Sequence, residues 1–147
     1  MLSINEFKKY HQLVQEINLD LPNGVTLNEM DFKHDLHWHE WHIKDNVEHG
    51  SFSLFFGGNT HDQDHTVFRG ELRFLTSNPF RGRYSCTLFC TYGQIYAFKH
   101  YNLDHIDKKE ERFIYAESKE ELIKKATTTA NKLVNKMAEL DTGCYAK

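Results

Sequence analysis

Residues 84–101, YSCTLFCTYGQIYAFKHY, decide how the rest of the chain is read. Tyr84, Cys86, Leu88, Cys90 and Tyr92 fall on one side of an extended chain, and Ser85, Thr87, Phe89 and Thr91 on the other. A period of two in aromatic and β-branched residues describes a half-buried strand. Tyr92-Gly93-Gln94 is the expected turn, with residues 95–101 returning as the second strand of a hairpin.

The same period extends upstream. Residues 51–56 place Phe52, Leu54 and Phe56 on one side, and residues 66–76 place Phe68, Gly70, Leu72 and Phe74 inward against outward Arg69, Glu71 and Arg73. A polar loop, GGNTHDQDH at 57–65, joins the two, and the loop at 77–82 leads into the hairpin. His34 to Lys44, HDLHWHEWHIK, also reads as a strand, with a tryptophan on each side. Residues 25–33 read as a short strand or irregular linker, 102–112 as charged and irregular, and 113–116 as a last short strand.

Helices flank this β-rich middle. Ser3-Ile4-Asn5-Glu6 has the form of a capping box, and Leu2 and Phe7 are placed to staple it. Phe7, Tyr10, Leu13, Val14 and Ile17 then share one face at spacings of three and four. Ser118 and Glu121 open a second such helix, striped by Leu122, Ile123, Ala126, Ala130, Leu133, Val134 and Met137, with Gly143 as its expected stop. The expected fold is therefore α+β: a meander-like antiparallel sheet of about five strands, with the N- and C-terminal helices packed on one face. At 147 residues a single domain, 1–147, is expected.

Composition narrows the function. Hydrophobic residues at 39% and charged residues at 27% indicate a compact chain rather than a disordered one. The formal charge of −3 disfavours a broad nucleic-acid grip, which needs a basic surface. Arg69, Arg73, Arg81 and Arg83 are read as solvated strand edges and turns. Cys86, Cys90 and Cys144 are an odd set without a CxxC, two of them on an apolar strand face, so buried free thiols in a reducing, cytoplasmic compartment are expected. No signal peptide and no membrane span is visible. Ten histidines stand out: full protonation would raise the formal charge by ten, so surface charge responds to pH near 6.

The sharpest local pattern is His37-Trp38-His39-Glu40-Trp41-His42. On a strand, His37 and His39 project from one side and could share zinc or another divalent metal, with Asp62 or its neighbours in the 61–65 loop completing the site. The string resembles the HxHxDH signature of metallo-β-lactamase-type hydrolases, but Trp41 stands where that motif has aspartate, and the chain is too short for that fold. Leu103-Asp104-His105-Ile106-Asp107 is similar to the core of HNH nuclease motifs, yet the following Lys108-Lys109-Glu110-Glu111-Arg112 lacks the asparagine and second histidine of that hairpin. There is no GxSxG elbow and no P-loop lysine.

The reading these features favour is a non-catalytic domain that binds another protein and needs no cofactor. Inhibitors and immunity proteins of phage or bacterial conflict systems are of this general type. The docking surface is expected on the uncovered sheet face, with Phe55, Phe89, Trp38 and Trp41 as aromatic contacts and His61 and His65 beside them. A homodimer is left open. The alternative is a metal-dependent hydrolase or nuclease built on His37, His39 and the 61–65 loop.

Overall fold

The structure, a computed structural model, describes residues 2–21, 25–46, 50–58, 66–76, 84–94 and 105–145. Its order is α1 (Ile4–Gln15), β1 (Val25–Leu27), α2 (Phe32–Lys44), β2 (Ser51–Gly58), β3 (Thr66–Leu75), β4 (Tyr84–Gln94), β5 (His105–Ala116) and α3 (Lys119–Tyr145). The five strands pair antiparallel in sequence order, so the sheet is a meander, as expected.

Both terminal helices begin where their caps predict. Ser3 Oγ accepts from the Glu6 N–H at 3.2 Å, and Ser118 Oγ accepts from the Glu121 N–H at 3.2 Å. Each bond satisfies a donor that the first helical turn cannot. α1 buries Phe7, Tyr10, His11 and Val14, and α3 buries Leu122, Ala126, Ala130, Leu133 and Val134. These stripes close over the inner face of the sheet, where Phe52, Leu54, Phe56, Leu72, Phe74, Cys86, Leu88, Cys90 and Ile114 complete one core. Tyr10 fixes the contact: its ring meets Phe52, Phe74 and Tyr84 edge-on, with centroids 5.3–5.8 Å apart.

Gly70 is required here. The Phe56 ring lies across it from the neighbouring strand, where any Cβ would collide with the ring. Cys86 and Cys90 are buried free thiols. Burial pushes the Cys86 thiol far above its usual range and the Cys90 thiol up to about 12.

Five expectations are corrected. Residues 34–44 form a helix, not a strand: Asp31 caps it, its Oδ1 accepting from the His34 N–H at 3.1 Å. Phe32, Leu36 and His39 then fall on its inner side. The spacing was helical, but a histidine at one of the buried positions hid the apolar stripe. β4 runs straight through 92–94, and Gly93 lies at a register shift against β5 rather than in a turn. Residues 95–101, expected as the returning strand, lie outside the described residues, and β4 pairs instead with residues 105–116. The charged run expected to be irregular is thus part of β5. Finally, α3 continues past Gly143 to Tyr145.

α2 joins α1 and α3 in the helix layer. His11 Nε2–H donates to Asp35 Oδ2 at 2.8 Å, and the His39 ring stacks on Phe7 with centroids 4.3 Å apart. His39 Nε2–H also donates to the Leu2 carbonyl at 2.9 Å, while the Leu2 N–H donates to the Thr76 carbonyl at 3.1 Å. One backbone unit thus ties α2 to the end of β3.

Candidate functional site

Alternation along the strands sends every second residue to the face that the helices leave open. Adjacent strands are about 4.8 Å apart, so the register places these side chains in rows. One row runs Phe55, Glu71, Phe89, Glu111 across β2 to β5, and the next runs Ser53, Arg73, Thr87, Phe113. Leu75 and Tyr115 lie one row further on. Phe113 is 65% exposed and Phe55 48% exposed, and Tyr115 and Leu75 are exposed as well.

The charges on this face are held in place. Glu71 accepts from Ser53 Oγ–H at 2.7 Å and from Arg73 Nε–H at 3.2 Å. Lys109 Nζ sits 5.0 Å from the Phe89 ring centroid, close enough for a cation–π contact. The result is an aromatic surface in which Glu71, Arg73 and Lys109 already have local partners.

The residues expected to form one site separate into two places. Phe55 and Phe89 lie on the open face, as expected. Trp38 and Trp41 lie on α2 in the helix layer, where they pack edge-to-face with centroids 5.7 Å apart and are 46% and 43% exposed. Trp38 Nε1–H donates to His34 Nε2 at 3.1 Å. His61, Asp62 and His65 lie outside the described residues.

The proposed metal pair is also divided. Residues two apart on a helix point to nearly opposite sides. His37 is exposed, whereas His39 is buried, with its Nε2–H committed to the Leu2 carbonyl. Among the described residues no group of three His, Cys, Asp or Glu is placed to hold a metal ion. Burial holds the His39 pKa below the usual histidine value, since it disfavours the charged ring, and its buried Nδ1 has no hydrogen-bond partner among the described residues.

Phe113, Tyr115 and Leu75 were missed as site residues. The alternation of Phe113-Ile114-Tyr115-Ala116 carried the signal, but the preceding Lys-Lys-Glu-Glu-Arg run obscured how far the strand extends. That run is charged on both faces because its inward residues are ionic. Glu110 accepts from Lys136 of α3 and from Arg112, at 2.8 and 2.9 Å, and these bonds hold its carboxyl down at about 2.

No protein-family model matches the chain, and neither the curated proteins nor the solved structures give a match. No helix among the described residues is long and apolar enough to cross a membrane.

Proposed function

We propose that this chain is a protein-binding domain of the inhibitor or immunity type, acting by covering part of another protein with the open face of its sheet. The observation that supports this reading is the combination on that face of exposed Phe55, Phe113 and Tyr115 with a Glu71 carboxylate already hydrogen-bonded by Ser53 and ion-paired with Arg73. Exposed aromatic side chains on a rigid sheet are effective binding anchors, since ordering them on binding costs little. Pre-formed ion pairs lower the cost of burying the charges between them. The mixture matches a recognition surface, with apolar anchors and a polar surround.

The test is affinity capture with three baits: the unaltered chain, a Phe55→Asp/Phe113→Asp variant, and a Trp38→Ala/Trp41→Ala variant. The expected result is a protein retained by the first and third baits and lost by the second. Retention by the open-face variant rules this reading out, and loss only with the α2 variant assigns recognition to α2 instead.

A further inference from the structure

The sheet has two unequal edges. β1 is three residues long, whereas β5 is twelve. In an antiparallel strand the N–H and C=O of one residue point to the same side, and successive residues alternate. The carbonyls of Glu111 and Tyr115 point away from β4, because Arg112 Nη1–H donates to the first at 2.8 Å and Lys125 Nζ–H to the second at 3.1 Å. Phe113, between them, therefore directs its own N–H and C=O outward, and neither has a backbone partner among the described residues. Alongside this edge, between β5 and α3, runs a groove of about 710 Å³ lined in part by Arg112, Ile114, Lys124, Lys125 and Thr128.

We propose that this edge and groove take an extended segment of a partner protein by strand addition, with acidic side chains at every second position facing α3. An open strand edge is a ready template for a further strand. The charge on the groove selects which strand. Arg112, Lys124 and Lys125 line it against Glu121 alone. Glu121 is already paired with Lys125 at 3.0 Å, and the Lys124 ammonium has no partner among the described residues. Arg112 and Lys125 cover edge carbonyls that an incoming strand's N–H groups would take. Each also holds a carboxylate, Glu110 at 2.9 Å and Glu121 at 3.0 Å, so Lys124 is the groove cation that the strand's carboxylates meet first. Residues on the alternate side of the added strand would lie beside Phe113 and Tyr115, where apolar side chains fit. A second copy of this chain is a poorer occupant, because two-fold pairing of β5 with itself sets Lys124 and Lys125 of the two copies against each other. The proposal uses the backbone edge and the groove, so it stands independently of docking by the open face.

The test uses fluorescent heptapeptides of alternating valine and glutamate, the same peptide with lysine for glutamate, and the glutamate peptide N-methylated at alternate amides. The glutamate peptide should bind at least about tenfold tighter than the lysine one, and more weakly as salt rises. Binding should slow amide exchange at Glu111, Phe113 and Tyr115, and N-methylation should abolish it. Lys124→Glu/Lys125→Glu should invert the preference. Phe113→Pro removes the outward N–H while sparing the bonds to β4, so it should lose binding with its circular dichroism unchanged. If that variant does not fold, the N-methylated peptide on the unaltered chain makes the same discrimination. Equal binding of both charges, no binding of either, or protection elsewhere overturns the proposal. So does a dimer in sedimentation that Phe113→Pro disperses, since that makes a second copy the occupant.

Discussion

The two faces of the sheet are built from the same residue types and behave as opposites. Phe52, Phe56 and Phe74 on the inner face are buried, Phe52 and Phe74 with ring partners on α1 and on each other's strand, and Phe56 across Gly70. Phe55 and Phe113 on the outer face stand apart, in rows alternating with Glu71, Arg73 and Glu111. The difference lies in what stands opposite. Two helices, α1 and α3, close over the inner face, with α2 packed against α1, and none of the described elements meets the outer face. The inner face is therefore where stability resides, and the outer face can change with little effect on folding.

The sharpest way to break that comparison is to remove one ring from the inner face. Phe74→Ala should cost about 4 kcal/mol of unfolding free energy, from lost burial and the cavity left among Tyr10, Phe52 and their neighbours. Adding atoms should also be costly: Gly70→Ala forces the Phe56 ring off the position it occupies, for a loss of about 2 kcal/mol. Denaturant titration measures both. A Gly70→Ala protein as stable as the original would mean that the Phe56 ring moves freely, and that the inner face is not tightly packed.

The strand pattern, both terminal helices and the open face were legible because their residues obey one period each. Phe52 to Phe56 alternates cleanly, and Leu122 to Val134 holds one helical stripe. α2 was not legible, because its inward positions include Asp35 and His39, and these polar residues become inward-facing only through His11, Phe7 and Leu2, more than twenty residues away. The inward charges of β5 were hidden for the same reason: Glu110 is satisfied by Lys136, a residue of α3. Of the six residues expected at the docking surface, the placement of two, Phe55 and Phe89, on the open face was legible from alternation alone. The tryptophans were assigned to the wrong layer as soon as α2 was read as a strand.

His39 supplies a smaller test, through pH. Its pKa in the folded chain lies below that of the unfolded chain, where it is ordinary, at about 6.5. The unfolded state therefore binds the proton more readily. The stability contributed by neutral His39 is complete above about pH 6.5 and is lost as pH falls from there towards the folded value. Thermal melts between pH 7.5 and pH 5 should show this decline. His39→Gln, which keeps a donor for the Leu2 carbonyl but cannot titrate, should flatten the part of the decline that His39 causes. An unchanged slope in that variant would assign the effect to other histidines. Smaller again, and opposite in sign, is Tyr10→Phe. The Tyr10 hydroxyl is buried with no hydrogen-bond partner among the described residues, and burial pushes its pKa far up. Removing a group that lost its hydration without compensation should stabilise the chain by about 1 kcal/mol. A loss of stability would point to an ordered water bound there.

The smallest expected effect sharpens the comparison most. Phe55→Ser and Phe113→Ser each remove a ring as large as that of Phe74, but from a side chain already about half or more in water. Little burial is lost and no cavity forms, so each should change unfolding free energy by no more than about 0.5 kcal/mol. The β-propensity of phenylalanine over serine is worth a few tenths of that at an exposed strand position. Phe113 lies on the edge strand and is the more exposed, so it should be the more tolerant of the two. If either serine variant instead loses several kcal/mol in a denaturant titration, that ring is packed within the chain itself. The outer face would then be a second core face, and the contrast between the two sides of the sheet would no longer hold.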